Sequence, residues 1–571
     1  MKRTFLLLLI LASSALATFG GPARRGFIRK TLADGTAVAV RMVGDEWYHA
    51  FADADDNPYE ATADGRLVPT TWAAVSEQHA ASRIQALRAG GRRDVKPYRY
   101  VDFPTRGDIH GIVILAAFKD VPFSLPDDSI RSLLTARYNG ENYSEPLSVS
   151  DYSEAYSSPI GLKGTIVGSA RDYFRDQSFG KFRPTFDVVG PVTLDSCRAY
   201  YGGNTSSRPN TDRNPRLMAK QACQKAHDAG LVDFSRYDND GDGYVDYVYI
   251  VYAGSDEAQF GGDDCVWAHA WTLASPLSLD SKKISRYACS AELLIDTKIV
   301  AGIGTFCHEF GHVIGLPDFY NTVSSCYGED AFAMDYWSIM DYGQYNLEGF
   351  VPAAYTAFER FSLGWMELPA LTEPADITLA PLESSGEAYR TFVAEDDTTA
   401  FYIFENNQKE KWNKYAPTRG LMITQVNYRP ASWTGNTVNN GSNPHRYYMV
   451  PANDVWHALD ADGYEYPDYN PTEHLYGRDN HAFTLTSKPA SVTSLGVSVD
   501  KPVTDITLCE DGSATFRFMG GNAIGVPTAG GPCTIYALDG QRVADDASFQ
   551  TLPSGIYLVR RNGEVHKVVK P

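Results

Sequence analysis

The chain has 571 residues, 43% of them hydrophobic and 21% charged, with a formal net charge of −19. That length exceeds what one hydrophobic core serves, so several domains are expected. The acid excess argues against nucleic acid as a partner, because phosphate neutralisation needs a basic face.

Lys2 and Arg3 precede an apolar run from Phe5 to Leu11, and Ala15-Leu16-Ala17 forms a small-residue cleavage site. This is the layout of a signal peptide over residues 1–17. The run is too short to span a bilayer. No later segment is long enough either, so a secreted or cell-surface protein without a transmembrane segment is expected. Eight cysteines in an exported chain permit disulfides. Sequence neighbourhood suggests Cys197–Cys223 and Cys265–Cys289, with the connectivity left open. No Cys-x-x-Cys pair occurs, so a thiolate zinc site is not expected.

Residues 18–106 read as a prosegment and basic linker. Strand-like pieces at Thr36–Arg41 and Glu46–Phe51 lie between the turns Asp34-Gly35 and Asp64-Gly65, and a helix is expected over Thr71–Ala89. The stretch from Arg88 to Arg99 is basic and turn-rich, a good site for trypsin-like cutting. Further on, Gly111–Phe118 (GIVILAAF) and Tyr247–Tyr252 (YVYIVY) read as buried strands. Leu162–Phe174, Ile299–Ile314 and Val351–Phe361 read as helices.

Asp238-Asn239-Asp240-Gly241-Asp242-Gly243-Tyr244-Val245-Asp246 places carboxylates at relative positions 1, 3, 5 and 9. Gly243 at position 6 permits a sharp turn, and Tyr244 can offer its carbonyl. Four carboxylates this close repel one another without a cation, so Asp238, Asp240, Asp242, Tyr244 and Asp246 are candidate ligands of a structural calcium ion. Position 12 is Tyr249 and the flank is a strand, so this is an EF-hand-like loop and not an EF-hand. The plain alternative is an acidic solvated turn. Asp256, Glu257, Asp263 and Asp264 are a weaker candidate for a second cation site.

His308-Glu309-Phe310-Gly311-His312 is an H-E-x-x-H pattern. Residues four apart share one helical face, so both imidazoles reach one ion. Zinc lowers the pKa of a water to about 7, and Glu309 beside that face is placed to take its proton. Gly315 ends the helix with a turn back towards the metal, and Asp318 supplies a third, oxygen ligand. A helix with two satisfied histidines is the bland alternative, and the register of Gly315 and Asp318 weighs against it. Downstream, Ser338-Ile339-Met340-Asp341-Tyr342 looks like the methionine turn of metzincins, with Met340 as a floor under the site. Tyr342 is placed like the tyrosine that approaches the metal in some of these enzymes.

His308–Tyr320 (HEFGHVIGLPDFY), Ser338–Gly343 (SIMDYG) and Ala357–Trp365 (AFERFSLGW) resemble the immune inhibitor A-like metallopeptidases, peptidase family M6. The resemblance extends through Gly111–Asp120, Gly180–Leu194 and Phe404–Gln408, and covers most of residues 100–520. It implies an extracellular zinc metalloendopeptidase made as a zymogen. The implied fold is α/β (α+β): a metzincin-like catalytic domain at 107–370, with β-rich C-terminal parts. One departure is Gln425, where relatives often carry histidine.

After about residue 370, alternating strands and turns imply a β-rich domain over 371–520. A glycine-rich break precedes a small β unit at 521–571. Its strings TIYALDGQRV and LPSGIYLVRRNGEVHKVVKP resemble the C-terminal sorting domain of the type IX secretion system. That implies secretion machinery as a partner, beside protein or peptide substrates.

Latency cannot rest on a cysteine switch, since the first cysteine is Cys197, inside the expected catalytic region. The segment Gly44-Asp45-Glu46-Trp47-Tyr48-His49 is the candidate blocker, with Asp45 and Glu46 as oxygen ligands for zinc. A turn at a strand start explains the same residues equally well. Two other readings of the chain compete: a catalytically silent surface adhesin on a peptidase scaffold, which the retained Glu309 opposes, and a carbohydrate-binding surface protein, which nothing specific supports.

Overall fold

The computed structural model describes residues 19–45, 48–62, 65–75, 77–78, 98–99, 103–204, 211–321, 333–440, 445–456, 470–520, 534–537, 542–545, 555–561 and 564–570. The expected signal peptide, Glu46 and most of the basic linker lie outside them.

The strand Gly107–Ala117 carries the central logic of the fold. Ile109, Val113 and Leu115 face one core, and Ile112, Ile114 and Ala116 face another. Apolar residues on both faces are what a strand buried between two helical layers requires. Its neighbours Phe182–Thr193 and Val248–Tyr252 run parallel to it. Lys282–Ala291 pairs parallel with Val248–Tyr252, and His269–Leu279 pairs antiparallel with Lys282–Ala291. The sheet is therefore mixed. Its outermost pairing comes from the N-terminus, where Phe19 and Gly20 lie antiparallel to Ala270 and His269.

Helices Asp127–Asn139, Ala170–Gln177 and Gly304–Val313 cover one face of this sheet, and Pro215–Asp228 covers the other. Three expected helices are corrected. Residues 158–166 form a strand paired with Glu145–Ser153, and the helix starts only at Ala170. The run Gly164-Thr165-Ile166-Val167 favours extended backbone. Ser169 then closes a capping box with Asp172. The helix expected from Ile299 begins at Gly304, because Val300 bridges to Leu293 in an antiparallel pairing. The helix expected from Val351 begins at Ala357, where Thr356 and Glu359 form a second capping box.

Beyond residue 370, Ala388–Ala394, Asp397–Asn407, Gly420–Asn427 and Tyr447–Met449 form an antiparallel sheet. Phe401 and Ile403 point into the core shared with the Gly304–Val313 helix. Tyr402 and Phe404 point the other way, into a core closed by Ala375–Leu379, Val503–Leu508 and Ala514–Phe518. The N-terminal region is a five-stranded antiparallel sheet of Ile28–Thr31, Ala37–Asp45, Tyr48–Asp53, Pro58–Ala61 and Leu67–Pro69. Its core, including Val40, Met42 and Phe51, continues onto Phe260 and Trp267 of the central unit. Of the expected helix over 71–89, residues 71–75 and 77–78 are described, and all of these but Thr71 are helical. Near the C-terminus, Thr534–Ala537, Arg542–Asp545, Gly555–Arg561 and Glu564–Lys570 form one antiparallel sheet.

The suggested disulfides do not form: Cys197, Cys223, Cys265 and Cys289 are free thiols. Cys197 is exposed and Cys223 buried. Cys265 bonds to the Gly261 carbonyl and Cys289 faces His269. Among the described residues, no helix is long and apolar enough to cross a membrane.

Candidate metal centre

The helix Gly304–Val313 divides its residues cleanly. Phe306 and Phe310, four apart, stack at 6.0 Å and face the sheet core, where Phe310 meets Phe174, Phe186 and Tyr247. This aromatic packing fixes the helix and turns His308, Glu309 and His312 to the opposite side, all buried. Gly315 adopts φ 111°, and both it and Leu316 donate to the Gly311 carbonyl. That left-handed residue ends the helix and carries the chain back to Asp318.

His308 Nε2 and His312 Nε2 stand 3.1 Å apart, and Asp318 Oδ1 lies 3.3 and 3.2 Å from them. His308 Nδ1 faces the Ile339 carbonyl at 2.6 Å and His312 Nδ1 the Leu316 carbonyl at 2.8 Å. A carbonyl accepts only, so each Nδ1 donates and each Nε2 turns its lone pair inward. Burial lowers the pKa of His312, which favours the neutral ring a metal needs. Burial opposes the charge of Asp318, and its carboxyl is held below the ordinary aspartate range only by positive charge on the facing imidazoles, the place a metal cation would take. Two neutral imidazoles and one carboxylate suit zinc with a position left open.

Asn436 holds the third ligand at two points. Its Nδ2 donates to Asp318 Oδ2 at 2.6 Å, and its Oδ1 accepts from the Asp318 backbone N–H at 2.8 Å. Asn436 sits at φ 50°, a left-handed position that asparagine tolerates. Sequence reasoning missed it. Its only local signal is the turn-rich string Gly435-Asn436-Thr437-Val438-Asn439-Asn440.

Met340 lies beneath the helix. A Cβ on Gly311 would stand 2.6 Å from Met340 Sδ, so glycine between the two histidines lets the methionine approach. The Met340 carbonyl accepts from Phe319 N–H at 2.9 Å, next to Asp318. Ser338 accepts from Met340 N–H at 3.1 Å and donates to Glu359 Oε1 at 2.5 Å. Gln425 lies elsewhere, buried against Tyr448 and the Ser494 backbone.

An N-terminal segment threads this cleft. Glu309 Oε1 accepts from Gly21 N–H at 3.0 Å, and Trp267 Nε1 donates to the Gly21 carbonyl at 3.1 Å. Tyr345 bonds the Pro22 carbonyl at 2.9 Å, and the Tyr342 hydroxyl bonds the Ala23 carbonyl. Asp45 does not join His308, His312 and Asp318 in their cluster. It ends a strand, where its Oδ1 accepts from Tyr48 N–H at 3.4 Å. Gly44 pairs with His49 there, and a Cβ on it would stand 2.4 Å from the Tyr48 carbonyl, so glycine serves the hairpin.

In the acidic loop, Asp238, Asp240 and Asp246 bring carboxylate oxygens within 4.8 Å of one another; Asp242 is not in that group. Asp238 Oδ1 is buried without a hydrogen-bond partner, while Oδ2 takes Lys282 Nζ at 2.7 Å. Asp242 Oδ1 accepts from Tyr244 N–H at 2.8 Å. The second acidic group does not gather as a cation site among the described residues. Asp263 pairs with Lys30 at 3.0 Å and Glu257 faces His49 at 3.3 Å, so these acids dock the N-terminal sheet.

Residues 105–366 match the family model described as immune inhibitor A peptidase M6, catalytic domain. This part of the chain is similar to that catalytic domain. Immune inhibitor A of Bacillus thuringiensis subsp. alesti is 26% identical over 271 residues, covering 43% of this chain and 38% of that protein. The pre-pro-metalloprotease PrtV of Vibrio cholerae serotype O1 is 30% identical over 277 residues, covering 43% of this chain and 29% of that protein. The match thus spans well under half of these curated relatives.

Proposed function

We propose that the chain is a secreted zinc-dependent endopeptidase, made with an N-terminal prosegment that closes its cleft. The observation that carries this reading is the convergence of His308, His312 and Asp318 beside Glu309, inside a segment similar to the M6 peptidase catalytic domain. Zinc held there supplies Lewis acidity and a water of lowered pKa. The chain's residues do the rest. Glu309 accepts a proton from the attacking water at Oε1, the atom that now takes Gly21 N–H, and returns it to the departing amine. Tyr342 donates to a peptide carbonyl, as it does to that of Ala23. Ile339 and Leu316 hold the imidazoles through their carbonyls. A substrate strand adds to the sheet edge at His269–Ala270, where Phe19–Gly20 pairs.

In this reading residues 18–106 are the prosegment, residues 1–17 the signal peptide, and residues 521–571 a sorting module for the secretion machinery. The loop of Asp238, Asp240 and Asp246 takes a structural calcium ion. The testing experiment is direct. The purified protein, once processed, should contain about one zinc per chain and release peptides from a mixed protein substrate, and a zinc chelator should stop the release. Metal-free protein with undiminished cleavage, or zinc-loaded processed protein that cuts nothing, would sink the reading. The latter outcome would favour the silent adhesin.

A further inference from the structure

We propose that the cleft carries two adjacent subsites for basic side chains, and that the enzyme reads arginine or lysine there in its protein substrates. This rests on the peptidase reading above and adds the substrate class.

The segment Gly21–Arg25 is held by two kinds of contact. Its backbone is gripped without regard to sequence: Glu309 on Gly21 N–H, Trp267 on the Gly21 carbonyl, Tyr345 and Tyr342 on the next two carbonyls, and the Ala258 carbonyl on Arg24 N–H at 3.0 Å. Any extended polypeptide could make these bonds. The side chains of Arg24 and Arg25 are held by something more selective. Arg25 pairs with Asp335 at 2.9 Å, and its guanidinium lies 3.9 Å from the centroid of the Tyr342 ring and 5.7 Å from that of Tyr336. Arg24 pairs with Glu348 and lies 5.5 Å from the centroid of Tyr345. Each subsite is thus one carboxylate with an aromatic face, the combination that selects a cation. The Asp335 side chain is fully buried, and burial of its partner Arg25 is outweighed by that carboxylate and the tyrosines, which keep the guanidinium charged.

A second observation points the same way. Asp335 and Glu348 both adopt left-handed backbone conformations, at φ 49° and 55°. Strained residues of this kind cluster where a ligand is clamped. Both acids belong to the M6 segment and remain after residues 18–106 are cut away. Tyr342, which stacks on Arg25, also bonds the backbone two residues earlier, so backbone grip and side-chain reading share one residue.

The test uses the full zinc-loaded chain carrying Glu309→Ala, Arg24→Ala and Arg25→Ala, which neither turns over nor holds its own segment by charge. Fluorescently labelled peptides FGGPARRG and FGGPAAAG are titrated by anisotropy. The first should bind at least about tenfold more tightly, and Asp335→Asn with Glu348→Gln should erase the difference. Equal binding of the two peptides would overturn the subsites without any change to the protein's acids. In parallel, the processed wild-type enzyme digests a peptide library. Enrichment of arginine or lysine at two neighbouring positions on one side of the cut supports the proposal. Cleavage without that enrichment overturns the subsites and leaves the peptidase intact. Tenfold selective binding with no cleavage of any library member overturns the peptidase reading instead, and with it the role of the subsites in catalysis.

Discussion

Gly21 donates its backbone N–H to Glu309 Oε1 at 3.0 Å, across 288 residues of sequence. The proposed base is therefore engaged by the chain itself. Deleting residues 19–25 should give protein-cleaving activity in the otherwise unprocessed chain. Asp45→Ala should leave that chain inactive, because Asp45 braces a hairpin and does not join the metal cluster. Casein hydrolysis by both variants, with the prosegment confirmed as attached, decides between the two routes to latency.

Glu309→Gln should leave zinc bound and lower peptide hydrolysis by about 10²–10⁴-fold, the usual contribution of a positioned acid-base group. Zinc content by atomic absorption separates this from a collapsed site. Loss of zinc in Glu309→Gln would mean the residue is structural. His308→Ala, by contrast, should lose both zinc and activity.

Asn436→Ala should weaken zinc binding by about 10–100-fold, the scale seen when a residue orienting a metal ligand is removed. The bonds to Asp318 run from both ends of one amide. Asn436→Asp should do worse, since it loses the donor and faces a carboxylate with a carboxylate. Competition against a chromogenic chelator measures both. Unchanged zinc affinity in Asn436→Ala would remove its assigned role.

How much of this site was legible in the sequence depends on distance along the chain. His308, Glu309, His312, Gly315 and Asp318 lie within eleven residues, and helix geometry followed by one glycine turn relates them. Asn436 is 118 residues from Asp318, on a turn after the Gly420–Asn427 strand, so no local pattern connects the two. Gly21 is harder still. The string FGGPARRG has neither helical nor strand period, and its strand pairing exists only because His269–Leu279 offers a sheet edge. The helix expected over 162–174 failed for a local reason: β-branched Thr165, Ile166 and Val167 precede the real cap at Ser169.

Calcium should raise the melting temperature of protein stripped by a calcium-selective chelator. At about 100-fold excess over Kd the gain is about 2.7 kcal/mol. Lys282 now neutralises Asp238 from 2.7 Å, so a bound cation must compete with its ammonium. Lys282→Met should therefore increase calcium affinity and enlarge the calcium-dependent shift, whereas Asp240→Asn should shrink it. Scanning calorimetry with and without calcium reads all three proteins. A melting temperature indifferent to calcium in each would count against the ion.

The strand Asp397–Asn407 is buried on both sides, with Phe401 and Ile403 in one core and Tyr402 and Phe404 in the other. Residues 105–366 taken alone would expose the floor on which Phe401 and Ile403 rest. The homologous segment is thus not a detachable module here. It should melt with the following β-rich region in a single cooperative transition, and truncations near residue 370 should yield insoluble chains.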